Sequence, residues 1–421
     1  MQLLSTSADK SLIIWDSLII VLKVRVGEVG GQASGYNGGC FALGGSAILA
    51  TSYFGGFYAW LPDEVKHPGG FKPLAVFSGH SLGVTDLSWD PTGTYLLSCS
   101  LDQTARCFVF TAKGGHAEIA RPQVHGHDFS CLSSISPCYY VSGAEEKILR
   151  VFQAPLFFAQ TLSKISEIPL EMFPRENLAE GGAAVPALSL SNKEIQDDSR
   201  IPFTEEIEKT KNVFIAPAVL EELPTEDRLM QSTLWPEVQK LYGHGFELFA
   251  VAANRAGTLL ASSCKASKKE HAAILLWETK RWKKVATLFA HNLTVTQLVF
   301  SNNDQMLASV SRDRTFSIFL QILMEVFADE YEWTLLYGSS GQKDVHSRII
   351  WSCAWSHDDK YMATCSRDKK ASGHLLAVGL ENGVIEVLQM LDDQLQCLVL
   401  MDQSLAHSRT VKRLKCVYFL D

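Results

Sequence analysis

The stretch SGHSLGVTDLSWDPTGTYLLSCSLDQTARCFVF, residues 78–110, decides the fold. After Gly79-His80, an alternating apolar–polar run from Val84 to Trp89 predicts a strand, because successive strand side chains face opposite ways. Asp90-Pro91-Thr92-Gly93 predicts a tight turn, since Pro presets φ and Gly tolerates positive φ. A second strand runs from Tyr95 to about Ser100, Asp102 marks the next tight turn, and a third strand ends at Phe108 to Phe110.

The same order recurs along the chain: in residues 290–319, in 345–370, from Gly243 to a third strand ending at Trp277, and in a unit ending at Phe152. LLSTSADKSLIIWD, at residues 3–16, supplies the second and third strands alone. The clear units recur at roughly 45–55 residues, a period that belongs to repeat architectures. The turn residue and the third-strand aromatic keep a fixed offset: Asp9 with Trp15, Asp102 with Phe108, Glu146 with Phe152, His271 with Trp277, and Asp313 with Phe319. A weaker unit pairs Asn382 with Leu388. A strand that always starts at the same tight turn produces that constancy.

The 421 residues are 47% hydrophobic, enough for large cores, and carry 22 Phe, 11 Tyr and 9 Trp, a usage suited to pleated sheets. A formal charge of −8 argues against bulk attraction to nucleic acid or anionic membrane, while leaving room for a local basic patch. The ten cysteines form no C-x-x-C pair and no zinc-spaced cluster, so no metal is expected. Scattered free thiols fit a reducing compartment. Apolar runs such as Leu18 to Leu22 are too short to span a bilayer, and the first residues lack a signal-peptide layout. A soluble, intracellular protein without membrane contact is the expectation.

The Ser, His and Asp of each unit imitate a hydrolase triad, but they recur with the repeat, whereas a catalytic triad occurs once. GGQASGYNGG, Gly30 to Gly39, lacks the strand–loop–helix setting of a phosphate loop. His80, His244, His291 and His346 all precede first strands and are explained by the repeat. Neither a catalytic residue nor a cofactor site is expected.

The repeat resembles the WD40 family, whose blades are four-stranded antiparallel sheets arranged in a β-propeller. The resemblance implies a hydrogen-bonded set in each blade. Its members would be the pre-strand His, a second-strand Ser or Thr, the turn Asp and the third-strand Trp. The matching residues are His80 with Asp102 and His291 with Asp313, with Ser98 or Ser100, and Ser309 or Ser311, as the hydroxyl. Phe replaces Trp in both blades, so the indole donor is missing; Asp9 and Trp15 belong to the one unit that keeps a Trp-Asp dipeptide.

Further stretches are more specific: VRVGEVGG (24–31), EIARPQVHGHD (118–128), LPTEDRLMQSTLWPEVQKLYGHG (223–245), KKEHAAILLW (268–277) and VHSRIIWSCAWS (345–356). Together they resemble the WD40-repeat subunits of the Elongator complex. That family implies two propellers of about seven blades each. The chain is expected to hold the last blades of a first, incomplete propeller over 1–122 and a second, shortened one over 123–421. It therefore reads as a truncated or spliced form, or an imperfect gene model. Residues 185–195 look like a degenerate blade between insertions near 155–182 and 196–233, the second read as a solvated, partly disordered loop. LQILMEVFADEYEW, 320–333, fits the repeat poorly, and no third strand follows Lys370.

The resemblance implies a non-catalytic scaffold that joins the largest and catalytic subunits of a complex modifying the wobble uridine of tRNA. It implies a cytoplasmic and also nuclear location. The alternative is direct contact with tRNA or tubulin through a basic face. Candidates for that face are Lys265, Lys268, Lys269, Arg312, Arg314, Arg348, Arg367, Lys369 and Lys370, which lie in turns or pre-strand loops at one end of three blades. A hidden enzyme would need a single-copy constellation, and none is apparent.

Overall fold

The computed structural model describes residues 2–9, 11–16, 19–25, 35–42, 46–52, 55–63, 70–185, 191–195, 217–323, 331–339, 346–359, 362–366, 371–372, 375–379, 385–391 and 394–401. Its contacts divide the chain into two compact units. One comprises Met1–Val141 and Arg150–Lys240, the other Ser142–Leu149 and Leu241–Asp421. These limits differ from the 122/123 boundary read from the sequence.

Antiparallel meanders dominate both units, the all-β propeller-blade architecture expected from the repeat. Blade 1 pairs Gln2–Thr6, Ser11–Asp16 and Ile19–Arg25. Blade 2 holds Tyr36–Phe41, Ile48–Ser52, Phe57–Asp63 and Gly70–Leu74. Blade 3 holds Val84–Trp89, Tyr95–Ser100, Thr104–Phe110 and His116–Val124. Blade 4 holds Phe129–Ser136, Tyr139–Ala144 and Ile148–Gln153, with Glu237–Tyr242 as fourth strand.

In the second unit, blade 5 is Leu248–Ala253, Leu259–Cys264, Ile274–Glu278 and Lys283–Leu288. Blade 6 is Val295–Phe300, Met306–Ser311, Phe316–Leu323 and Tyr331–Gly338. Of the 320–333 stretch that fitted the repeat poorly, residues 320–323 thus end its third strand and 331–333 begin its fourth, and residues 324–330 lie outside the described residues. Blade 7 pairs Ile350–Trp355 and Met362–Ser366 with a short Ala371–Ser372. Blade 8 pairs Leu375–Gly379, Ile385–Leu391 and Gln394–Met401. Asn382 lies outside the described residues.

Blade 3 shows how the sequence sets this geometry. Alternation buries Tyr95, Leu97 and Cys99 beside Ala105, Cys107 and Val109. The turn before Tyr95 is organised by Asp90, whose carboxylate accepts from the backbone N–H groups of Thr92, Thr94 and Tyr95, while Gly93 takes φ +74°. Blades 6 and 7 place Asp304 and Asp359 where Gly93 stands, at φ +61° and +55°. Each compensates by accepting two N–H groups from the turn of the preceding blade. Asp304 takes Arg255 and Ala256, and Asp359 takes Asn302 and Asn303. Between blades 5 and 6, Ile274, Leu276, Val295, Leu298 and Leu307 form a continuous apolar core.

The segment between the third and fourth strands of blade 4 is structured where it is described. Helix α1 spans Leu156–Ser166 and helix α2 spans Glu226–Gln231. Both lie against the fourth strand of blade 3. Arg121 N–H donates to the Thr233 hydroxyl, and Trp235 N–H to Pro122 O. A strand edge that would otherwise be open is covered in this way. The expectation of a solvated loop over 196–233 is therefore corrected for its last part, where Glu226, Leu229 and Gln231 are buried. TEEIEKTK lies outside the described residues; of the 185–195 stretch, Lys193–Glu194 pair with Ala183–Ala184 just ahead of it, and residues 186–190 lie outside the described residues.

Candidate functional site

Four blades repeat one hydrogen bond. The Nε2 of His80, His244, His291 and His346 meets the hydroxyl of Ser98, Ser262, Ser309 and Thr364, at 2.7, 2.8, 2.8 and 2.8 Å, always 18 residues apart. The open choice of hydroxyl falls on Ser98 and Ser309. Ser100 and Ser311 instead donate to Leu82 O and Leu293 O, closing the pre-strand loop onto the second strand.

The acidic member differs between blades. In blade 3, His80 Nδ1–H donates to Asp102 Oδ2 at 2.9 Å. In blade 6, His291 Nδ1 lies 3.4 Å from Asp313 Oδ2 and 3.0 Å from Thr315 Oγ1, whose hydroxyl is 2.6 Å from Asp313 Oδ1. Thr315, and Thr104 in blade 3, are members that sequence reasoning missed; the Asp-x-Thr spacing was their signal. Blade 5 has no turn aspartate. Ser262 there takes the Trp277 indole N–H at 2.8 Å. His271, aligned in sequence as the turn residue, instead sits in a short 3-10 turn with its ring edge-on to Phe246. In blade 1, Trp15 Nε1 donates to Ser5 Oγ, while Asp9 accepts from Ser11.

Two predictions follow from these sets. His291→Ala and Asp313→Ala should each cost roughly 1–3 kcal/mol by leaving a buried partner unsatisfied. Through the shared Thr315, the double variant should lose less than the sum. Strictly additive losses in urea unfolding would contradict a common network.

The second prediction concerns pH. Burial, helped by the Lys284 charge, holds His244 down to about 4. The unfolded chain takes up that proton near 6.5. Stability from neutral His244 is thus complete above about 6.5 and lost as pH falls towards 4. Burial works against the Asp102 and Asp313 charges, but the bonds from His80 and His291 outweigh it and hold both well below the usual carboxylate range. Their contribution is lost only below about pH 4. The urea midpoint should therefore fall in two stages, and His244→Asn should remove the first. An unaltered profile in that variant would exclude His244 as its source.

The expected basic residues separate on inspection. Arg312, Arg314, Arg348, Lys268 and Lys269 are exposed, while Lys265 is half-buried and paired with Glu145 at 3.3 Å. The turn segments of blades 5 and 6 are held together at Thr294, which donates its N–H to Ala266 O and accepts Arg312 N–H. Arg367, Lys369 and Lys370 lie outside the described residues.

A buried ionic chain, unforeseen from the sequence, extends the blade 3 set. Arg106 Nη1 donates to Glu118 Oε2 at 3.0 Å, Arg121 Nε to Glu118 Oε1 at 2.9 Å, and Arg121 Nη1 to Glu226 Oε1 at 2.8 Å. Ser78 Oγ meets the other Glu226 oxygen. Burial opposes the Arg121 charge, yet Glu118 and Glu226 hold it well above the usual arginine range. Glu226 is likewise disfavoured by burial but held below its ordinary value by Arg121. Two of the stretches that carried the family resemblance, 118–128 and 223–245, meet in this chain.

Among the described residues there is no group of His, Cys, Asp and Glu able to hold a metal, and no helix long and apolar enough to cross a membrane. The family model for the WD domain, G-beta repeat, matches residues 71–108, 282–319 and 340–372. Three curated proteins named Elongator complex protein 2 are similar. The rat protein is 46% identical over 88% of this chain and 47% of its own length. The Drosophila melanogaster protein is 39% identical over 99% and 59%, and the Arabidopsis thaliana protein 41% identical over 88% and 46%. The chain spans about half the length of the curated relatives it matches.

Proposed function

We propose that this chain, which carries WD40 repeats and is similar to proteins named Elongator complex protein 2, is a non-catalytic scaffold subunit of the Elongator complex. In that role it would bridge the largest and catalytic subunits of the machinery that modifies wobble uridine in tRNA. The observation that carries this reading is the 39–46% identity to proteins of that name over most of the chain. The blade architecture supports it, because loops and strand edges on a rigid repeat offer several binding surfaces at once. So does the repetition of the His–hydroxyl pair in four blades, which gives the histidines a structural task in each. The proposed location is cytoplasmic and also nuclear. The test is affinity purification of the tagged chain: recovery of the largest and catalytic subunits supports the reading, and recovery of neither overturns it.

A second reading is favoured by the exposure of Arg312, Arg314 and Arg348. On it, this end of blades 5 to 7 contacts tRNA or tubulin directly. Salt-sensitive binding lost in Arg312→Glu/Arg314→Glu would support that reading.

A further inference from the structure

Blades 2 and 3 meet in a different way from blades 5 and 6. In blade 6, Val295, Leu298 and Phe300 of the first strand share one apolar cluster with Ile274, Leu276 and Leu288 of blade 5. Blades 3 and 4 are stitched first strand to first strand, with Leu132 N–H donating to Asp86 Oδ2 and Ser134 N–H to Ser88 Oγ. Between blades 2 and 3, Leu49, Leu74, Val84 and Trp89 all stay exposed, and no comparable seam forms among the described residues.

Glu226, the first residue of α2, stands at this junction instead. Its Oε1 and Oε2 accept from Arg121 of blade 3 at 2.8 and 3.1 Å. Oε2 also accepts from the hydroxyl of Ser78, in the connection between the two blades, at 3.3 Å. Ser78 Oγ in turn accepts the N–H of Phe57, which opens the third strand of blade 2, at 3.0 Å. One carboxylate thus ties α2, blade 3 and blade 2 together. The residues before Phe57 are fitted to it. A Cβ at Gly55 would lie 2.7 Å from Ser81 Cβ, and Ser81 N–H is itself held by Asp102. A Cβ at Gly56 would lie 2.6 Å from Glu226 Oε1 and 3.1 Å from Ser52 Oγ. Gly55 also serves its φ of +79°, but Gly56 lies outside the left-handed region, so the backbone there would accept alanine. The close approach of a carboxylate fixed by Arg121 is what calls for glycine at 56. Asp227 bears on the same blade: burial, then the Asp227 and Glu226 charges, push the Tyr58 phenol up.

The attachment of α2 to blade 3 has bonds of its own. Arg121 N–H donates to Thr233 Oγ1, and Trp235 N–H to Pro122 O. Cutting the link to blade 2 therefore leaves α2 in place.

We propose that Glu226 is a lock between blades: through Ser78 and Gly56 it holds blade 2 in one orientation against blade 3, and its release lets blade 2 turn about the Leu74–Ser78 connection. The lock does not depend on the scaffold reading.

Pulsed dipolar electron spin resonance on the full chain tests this. One nitroxide would sit on Cys40, an exposed thiol of blade 2, and one on Lys113→Cys in an exposed turn of blade 3, with Cys365, Cys397 and Cys416 replaced by Ser. The parent should give a single narrow distance distribution. Gly56→Ala and Ser78→Ala, which leave Arg121 paired with Glu226, should each broaden it by about twofold or more, as hinge motion does. Glu221→Ala, which removes only the exposed pair with Lys164, should leave it narrow. Equally narrow distributions in the two folded junction variants would overturn the lock. Equal broadening in Glu221→Ala would assign the effect to the whole segment and reject Glu226 as its seat. Hydrogen exchange of the unmutated chain gives a readout that does not depend on how the variants fold. Phe57 is 47% exposed, yet its N–H should exchange within about 10-fold of the buried Arg121 N–H, because both open with the same cluster. Exchange of Phe57 at the rate of an unprotected amide would show that blade 2 is not held there.

Discussion

Arg121→Met should cost about 3–5 kcal/mol, the range for removing one partner of a buried charge pair. Arg121 is 1% exposed and joins Glu118 in the fourth strand of blade 3 to Glu226 in α2. Without it Glu226 loses its cation in a site where burial already disfavours its charge, while Glu118 keeps only Arg106. The loss should shrink as pH is lowered from 7 towards 5, because the orphaned Glu226 carboxylate can then take up a proton. Arg121→Met with Glu226→Met should recover part of the stability, since apolar side chains of similar volume replace a buried pair at little cost. Urea unfolding of the single and double variants measures both effects. A single-variant loss below about 1 kcal/mol would mean that water reaches the cluster and that α2 is not held by it.

This cluster marks where sequence reading stopped. The period-2 alternation and the Asp-containing turns are local signals. Val84–Trp89, Tyr95–Ser100 and the fixed offset from Asp102 to Phe108 could thus be read without tertiary information, and the strands formed there. The pre-strand histidines were equally legible because the repeat displays them several times. Glu226 gave no such signal. It meets Arg121 across 105 residues of chain, and a single glutamate opening a six-residue helix looks like any solvated acid. Blade 5 was legible in its strands but not in its set, because its longer Lys265–Ala273 connection displaces the turn residue. The offset of six then fell on His271, whose ring faces Phe246 instead. The cations of blade 5 divided in the same way. Their clustering is visible in sequence, but Lys265 against Glu145 could be told from exposed Lys268 and Lys269 only once the chain was folded.

Trp235→Ala should also cost about 3–5 kcal/mol, the range for deleting a large buried aromatic. Trp235 is fully buried, with ring centroids 4.8 Å from Phe158 of α1, 5.3 Å from Tyr140 of blade 4 and 6.3 Å from Tyr95 of blade 3. One side chain thus joins two blades to the segment that covers the blade 3 edge. Its backbone is fixed as well: its N–H donates to Pro122 O, and its carbonyl accepts from Asn192 Nδ2, which also donates to Pro122 O. The rest of the segment therefore cannot collapse into the space that alanine leaves, which places the loss towards the upper part of the range. The indole N–H has no acceptor among the described residues. Trp235→Phe thus gives up ring volume but no hydrogen bond, and should cost less than half as much as alanine. Urea unfolding monitored by far-ultraviolet circular dichroism gives both values. Equal losses for Phe and Ala would show that the indole ring as such, rather than filled volume, joins the blades to their cover.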